Sequence, residues 1–553
     1  MKLSDYVVKF IKNTTGSVFL LSGGGIMHLV DSLRKSNLNV YCCHHEQGAA
    51  IAAEGYSRIK NRPGIAVVTS GPGVTNTVTG IAGAWLDSIP IIIIAGQVKR
   101  KDITARKNGK QMIRQTGFQE LNVVDIVKPI TKYAVTVKKE KEIRFHLEKA
   151  IYLATHGRPG PVFVEIPLDV QAVEIDLKKL KSFIPPKKDS FKKNLPIKEV
   201  VKELKNAKRP LLLVGNGVRL AGAEKNLLKF LEKYKINTVT SIFTADDLVT
   251  CEYEKYLGRQ GMPGNESANF AADNCDLLLV IGERLQLTQT SFDYENFAKQ
   301  AIKIMVDIDK EEMHKKTIKI DIPIQCDAKE FLTQICREDF KLNDWNVKVN
   351  KIDCRKYAPG GSYLNVYKFI EKLGECSRGM TVATANGMAS LVSHQALKIR
   401  RGQRFITNAG LGHMGSGLPL SIGASIAGGM SPVICCEGDG SIMLNIQELQ
   451  TIIYHKLPIK IFIFNNGGYY SIRNTHQRFF GKIFAADCSC GVSLPDFSVL
   501  IPAWGLKYER ISTNKELKKL PAVINYAGPI VCELIIAPDQ PMLPKWTAGQ
   551  LKK

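Results

Sequence analysis

No apolar run in this chain of 553 residues approaches the roughly 20 residues that a membrane span needs. The longest in the N-terminal third, Ile89 to Ala95, has the length of a strand buried on both faces of a parallel sheet. The opening residues, Met1-Lys2-Leu3-Ser4-Asp5, lack a signal peptide's apolar core and small-residue cleavage site, so a cytoplasmic protein is expected. The 13 cysteines lack the paired C-x-x-C spacing of a zinc site. With Cys42-Cys43 and Cys435-Cys436 inside apolar strand-like runs, they read as buried reduced thiols and not as a disulfide framework. There is no arginine-rich arm and no recognisable nucleic-acid-binding module. Lys and Arg outnumber Asp and Glu by 76 to 52, a formal net charge of +24, but the excess is spread over lysine-rich stretches such as 178–181 and 191–193. Neither nucleic acid nor a membrane is expected as a partner.

What is present is the composition of a globular protein, 44% hydrophobic, 23% charged and 8% aromatic, on a chain too long for one hydrophobic core. Two basic, proline-containing stretches, 177–195 and 341–361, interrupt an alternation of strand-like and helix-like segments and read as linkers. Before the first, strand-like runs at 17–21, 40–43, 65–69, 91–95 and 162–166 predict a doubly wound parallel sheet. The pattern returns at 210–214, 238–240, 277–281 and 304–308, and again at 381–383, 404–407, 432–436, 459–464 and 530–535. The expected fold is α/β, with three doubly wound parallel-sheet domains at residues 1–175, 196–338 and 361–540.

In the third segment the strand ending at Cys436 runs into Glu437-Gly438-Asp439-Gly440-Ser441, and the next strand ends in Asn465-Asn466. Both loops leave the carboxyl ends of parallel strands, where ligands bind. Asp439 and Asn466 can converge there with a backbone carbonyl, that of Gly468, on one divalent ion. Three protein oxygens completed by the oxygens of a diphosphate suit Mg²⁺.

The Gly438-Asp439-Gly440 to Asn465-Asn466 pair resembles the thiamin-diphosphate motif. His45-Glu46-Gln47-Gly48, Thr69-Ser70-Gly71-Pro72-Gly73-Val74-Thr75-Asn76, Gly117-Phe118-Gln119-Glu120 and Gly410-Leu411-Gly412-His413-Met414-Gly415 extend the likeness. In order and spacing they are similar to the acetolactate-synthase branch of thiamin-diphosphate enzymes. The resemblance implies pyrimidine, central and pyrophosphate domains, with the cofactor held between the first domain of one chain and the third of another in a homodimer or homotetramer. Glu46 follows a strand and opens a helix of small residues. A buried glutamate with a raised pKa can hydrogen-bond a ring nitrogen of the aminopyrimidine and so promote loss of the thiazolium C2 proton. The resemblance gives Gly412 the aminopyrimidine amine and Met414 the bent cofactor. It gives Pro72, Asn76, Gly438, Gly440 and Ser441 cofactor contacts, and Gly24, Phe118 and Gln119 the donor side.

Three segments depart from that pattern. Asn386-Gly387-Met388 replaces the family's Gly-Gln-His, so only the location of diphosphate binding carries over. In the middle segment Gly215, Gly217, Arg259, Gly282 and Asp309 are similar to a FAD-binding surface, but Leu285-Gln286-Leu287 stands where the family has an acidic pair and an arginine. At the acceptor side Leu168 and Thr475, with His476 beside it, occupy positions of a family lysine and tryptophan. The implied function is a carboligase that decarboxylates a 2-keto acid such as pyruvate and transfers the two-carbon unit to a carbonyl acceptor. That acceptor is a second pyruvate or a keto-sugar nucleotide of polysaccharide biosynthesis; a lyase or decarboxylase on the same cofactor is the further variant.

Overall fold

The structure, a computed structural model, describes residues 1–107, 110–186, 195–242, 247–349, 352–543 and 545–549. Three six-stranded sheets, all parallel, organise it, and the fold class is α/β as expected. In the first the spatial order is Asn39–Cys42, Ser17–Leu20, Gly64–Val68, Ile91–Gln97, Val162–Pro167, Tyr133–Thr136. Numbered along the chain, that is 2-1-3-4-6-5. The third sheet has the same order: Arg404–Thr407, Thr381–Thr384, Val433–Gly438, Ile459–Asn465, Ile530–Ile535, Lys507–Ile511. The middle sheet runs Tyr256–Gln260, Asn237–Ser241, Pro210–Val214, Leu277–Ile281, Ile302–Asp307, Ile322–Gln325, the 3-2-1-4-5-6 order of dinucleotide-binding folds.

The central strands are unbroken apolar runs because helices cover both faces; Ile91 to Ala95 is wholly buried. Within these three sheets, four strands lie beyond the sequence reading: Tyr133–Thr136, Tyr256–Gln260, Ile322–Gln325 and Lys507–Ile511. Each is a sheet edge and mixed in polarity. The cysteine expectation needs correction: only six of the cysteines are buried, while Cys42, Cys251 and Cys488 are exposed and Cys336, Cys354, Cys376 and Cys490 are partly buried. Cys42 on the edge strand Asn39–Cys42 is exposed and Cys43 buried, since successive side chains point to opposite faces.

The first and third domains meet through two helices. Helix Glu46–Lys60 carries Ala49, Ala50, Ala52 and Ala53, all buried, and helix Gly417–Ala427 is buried along its whole length. Glycines set their spacing: a Cβ at Gly55 would overlap the Leu420 carbonyl, and one at Gly423 the Ala52 carbonyl. At one end of this contact Arg58 donates to Glu54 Oε1 (2.7 and 2.9 Å) and to Asp87, while Asn408 Nδ2 donates to Glu54 Oε2 (2.9 Å) and Gly410 N to Asp87 Oδ1 (2.9 Å). The middle domain is tied to the first by Arg158, which pairs with Asp309 (3.0 Å) and Glu312 (2.8 Å). Trp546 ties it to the C-terminal segment, its Nε1 donating to Asp273 Oδ2 (3.1 Å).

Glu165, on the strand Val162–Pro167, accepts from Gln97 Nε2 (2.9 Å) and Thr136 Oγ1 (2.6 Å). Burial outweighs these bonds and pushes its carboxyl up to about 7. The folded protein therefore holds this proton where the unfolded chain has lost it, and stability present below about pH 4.5 is lost as pH rises through about 7. Glu165→Gln should leave the thermal midpoint unchanged at acid pH and raise it at pH 8, by the equivalent of at most about 3 kcal/mol. Thermal melts of both proteins across that range check it.

Candidate active site

The outer sheets place loops at the carboxyl ends of their strands, around the point where connections diverge between the first and third strands. In the first domain, the turn Gly23 to Ile26 after one strand lies against Thr69 and Ser70 after another. Gly25 N donates to Thr69 Oγ1 (3.2 Å), and a Cβ at Gly23 would press on the same threonine. Gly24 has open space above it. Gly71 has φ +57 and packs on the Gln119 carbonyl, and Gln119 itself is held at φ +61. Glu46 is buried at the start of its helix and accepts from Asn76 Nδ2 (2.9 Å). So Gly24, Glu46, Pro72, Asn76 and Gln119 share one rim, with Phe118 beside them almost fully exposed at 87%.

The third domain builds the other half. Gly438 ends a strand, and Asp439 folds its loop around itself: Oδ1 accepts from Gly440 N (2.7 Å), Oδ2 from Asn466 N (3.0 Å) and Gly468 N (2.9 Å). Burial raises the Asp439 carboxyl to about 6 against the pull of these N–H groups. Asn466 Oδ1 accepts from Arg473 Nη2 (2.9 Å), which also holds the Asn466 carbonyl (2.8 Å). Sequence reasoning missed Arg473. Its signal was a cation in the first turn of helix Tyr470–Phe480, the wrong end for the helix dipole. Among the described residues no three His, Cys, Asp or Glu groups cluster as a metal site. The candidate set is instead one carboxylate, one amide and one backbone carbonyl, all hard oxygens.

Asn386 donates to the Gly412 carbonyl and accepts from Gly387 N. Ser441 Oγ accepts from Gly415 N (2.9 Å) and Asn445 Nδ2 donates to the Gly415 carbonyl (2.8 Å), which fixes the turn carrying Met414. Burial pushes His413 in that turn down to about 4, so it is a neutral imidazole. Asn386, Gly387, Gly412, Met414, Gly438, Asp439, Gly440, Ser441, Asn466 and Gly468 thus belong to one group of loops.

Within the chain, Glu46 and the Gly412–Met414 turn lie toward opposite ends of the contact between helices Glu46–Lys60 and Gly417–Ala427. Gly55 lies against Leu420 and Ala52 against Gly423, so the helices run antiparallel and Gly412 and Met414 lie toward Arg58. Glu46 lies nine residues the other way from Gly55, about 14 Å along the axis.

Residues 1–126, 197–335 and 385–534 match, in turn, the N-terminal TPP binding domain, the central domain and the C-terminal TPP binding domain of thiamine pyrophosphate enzymes. The acetolactate synthase large subunit of Cyanidium caldarium is 32% identical over 98% of this chain and 94% of its own length. The isozyme 2 large subunit of Escherichia coli K12 is 32% identical over 94% and 92%. The large subunit of Lactococcus lactis is 31% identical over 96% and 92%. The chain belongs to the thiamine pyrophosphate enzymes, in the acetolactate synthase branch. It is a thiamin-diphosphate-dependent carboligase of the acetolactate-synthase type.

In this thiamin-diphosphate enzyme the residues expected at the acceptor side fall on both halves. Leu168 is half-buried and opens helix Leu168–Ala172, whose Gln171 donates to the Gly25 carbonyl (2.8 Å). Thr475 is exposed on helix Tyr470–Phe480 and its hydroxyl donates to the Ser471 carbonyl (2.8 Å). His476 Nδ1 accepts from Phe484 N (3.4 Å). The middle-domain residues divide. Gly217 and Gly282 line a cleft of about 870 Å³, part of it open to solvent, that the first domain closes with Arg58, Asp87 and Arg158. Gly215 packs on the Gly282 carbonyl. Arg259 is elsewhere: buried, it donates to the His394 (3.1 Å) and Leu397 (2.8 Å) carbonyls and joins the middle domain to the third. Asp309 caps Glu311 N (3.1 Å) and pairs with Arg158. Arg284 and Asp307, in the segments that carry Gly282 and Asp309, also line the cleft, and so does Asp327, which the sequence reading missed because it follows the unread edge strand Ile322–Gln325.

Asp439→Ala and Asn466→Ala each remove one oxygen from the candidate ion site. Each should weaken metal-dependent thiamin diphosphate binding by about a hundredfold or more while the fold persists. Titration of cofactor in the presence of magnesium measures this, with wild-type affinity in both variants as the contrary outcome.

Proposed function

We propose that two copies of the chain assemble around thiamin diphosphate and Mg²⁺ and use pyruvate as the two-carbon donor. The separation of Glu46 from Gly412 and Met414 along antiparallel helices carries the assembly: one cofactor spans both half-sites only if they come from different chains. Asp439, Asn466 and the Gly468 carbonyl hold the ion, and Asn386, Gly387 and Ser441 line the diphosphate. Gly412 and Met414 seat the pyrimidine and thiazolium. Bound thiamin diphosphate supplies the carbanion-stabilising ring. Glu46, held by Asn76, exchanges a proton with the pyrimidine and so sets its tautomer. Gly24 and Gln119, with Phe118, face the donor.

The middle-domain cleft fits FAD. Arg284 lines it beside buried Glu283, with no side-chain hydrogen bond among the described residues, and offers a cation to a diphosphate; Asp307, the last residue of Ile302–Asp307, and Asp327, just beyond Ile322–Gln325, offer carboxylates to hydroxyl groups in the same cleft. Among the described residues no helix is long and apolar enough to cross a membrane. That supports a cytoplasmic enzyme, together with the free thiols.

For the acceptor we favour a substrate bulkier than a second pyruvate. Leu168 offers no cation, and Thr475, with its hydroxyl spent on Ser471, offers no large ring. Specificity follows differences in transition-state binding. A keto-sugar nucleotide satisfies this description.

Glu46→Gln should lower turnover by roughly 10²–10⁴-fold and slow hydrogen–deuterium exchange at C2 of bound cofactor; exchange at the native rate rejects the role. Acetolactate release from saturating pyruvate alone should be slow, and product mass spectrometry with keto-sugar nucleotides should show a two-carbon adduct. Release within the ordinary enzymatic range of about 1–10³ s⁻¹, unaffected by Thr475→Trp, would mean that the pocket serves a second pyruvate.

A further inference from the structure

Glu448 has no part in the roles above. It opens helix Glu448–Tyr454 in the third domain and is wholly buried, yet its carboxylate lies beneath a turn of the first domain. Oε1 accepts from the backbone N–H of His44 and of His45, each at 3.0 Å, and Oε2 from Thr451 Oγ1 at 2.7 Å. His44 and His45 are the two residues before Glu46, outside the helix, where N–H groups have no intrahelical acceptor. The niche exists because residue 48 is glycine: a Cβ there would overlap Glu448 Oε1. The same third-domain segment continues to the cofactor-holding turn, through Glu448 N to the Asn445 carbonyl (3.0 Å) and Asn445 Nδ2 to the Gly415 carbonyl (2.8 Å).

We propose that Glu448 is a positioning residue for Glu46. Two charge-assisted bonds to consecutive peptide units are short and directional. They fix the chain immediately before Glu46, and with it the aim of the Glu46 carboxylate at the pyrimidine. Nothing in the helix itself does this, because the residue before Glu46 is extended (φ −151, ψ 141) and caps nothing with its side chain. The proposal rests on the reading of Glu46 as the proton-exchanging carboxylate. It adds that this reactivity is set from the domain that holds the other copy's cofactor.

The test uses the full chain in two states. Without cofactor, amide hydrogen exchange at His44 and His45 reports the two bonds. With saturating thiamin diphosphate and Mg²⁺, hydrogen–deuterium exchange at C2 reports the aim of Glu46. In Glu448→Ala, both amides should exchange faster and C2 exchange should fall about tenfold to a hundredfold, the scale of an ångström-sized misplacement, at unchanged cofactor affinity. Glu448→Gln should restore C2 exchange to within about threefold, since an amide oxygen accepts from the same N–H groups. Gly48→Ala, which displaces an intact Glu448, should reproduce the loss and stands in for Glu448→Ala should that variant not fold. Native C2 exchange in Glu448→Ala and Gly48→Ala, with Glu46→Gln slow, overturns the proposal and leaves Glu46 in its role. A Glu448→Gln variant as slow as Glu448→Ala also overturns it, because charge and not hydrogen bonding would then matter. Native exchange in Glu46→Gln removes both readings together.

Discussion

Everything else in the molecule is arranged around the contact of helix 46–60 with helix 417–427. Two helices with ordinary side chains stay 8–10 Å apart; here alanines and glycines bring backbone against backbone, with Gly55 on Leu420 and Gly423 on Ala52. Many small dispersion contacts add up over such a surface, and a single methyl inserted there costs about 1–3 kcal/mol in overpacking. The contact also fixes direction. Because the helices are antiparallel, it decides which end of the first domain faces which end of the third, and it sets Glu46 and the Gly412–Met414 turn toward opposite ends.

The polar groups at either end of this contact keep the separation rigid. Arg58 with Glu54 and Asp87 clamps the Asn408–Gly410 loop at one end. Glu448 clamps the His44–Glu46 turn at the other. Both are buried charges in hydrogen-bonded surroundings, the only condition under which burial of charge is tolerated. The first and third domains share one strand order, 2-1-3-4-6-5, and use the same sheet ends for different tasks. The first offers a carboxylate and the third a loop folded on an aspartate.

What the sequence revealed follows from where the physical signal is strongest. Strands such as Pro210–Val214 and Leu277–Ile281 are buried on both faces and announce themselves as apolar runs; Lys507–Ile511, at a sheet edge with mostly accessible side chains, does not. Asp439 and Asn466 were legible because two strand-end loops carry chemistry-bearing residues at a fixed separation. Arg473, Asp327 and Glu448 were not: Arg473 sits in a helix seven residues past Asn466, Asp327 follows an edge strand with no motif, and Glu448 acts on a turn 404 residues away in sequence. Arg259 shows the reverse failure: an arginine beside glycines suggests an anion, yet its partners are the His394 and Leu397 carbonyls 135 and 138 residues on.

The antiparallel crossing also has a meaning for genetics. In the two-chain arrangement proposed above, each site draws its glutamate from one chain and its aspartate from the other. A chain disabled at Glu46 and a chain disabled at Asp439 form inert pairs with their own kind. Mixed, they form a pair in which one site carries both lesions and the other carries neither. Two alleles that are each null would then complement one another in a cell that expresses both.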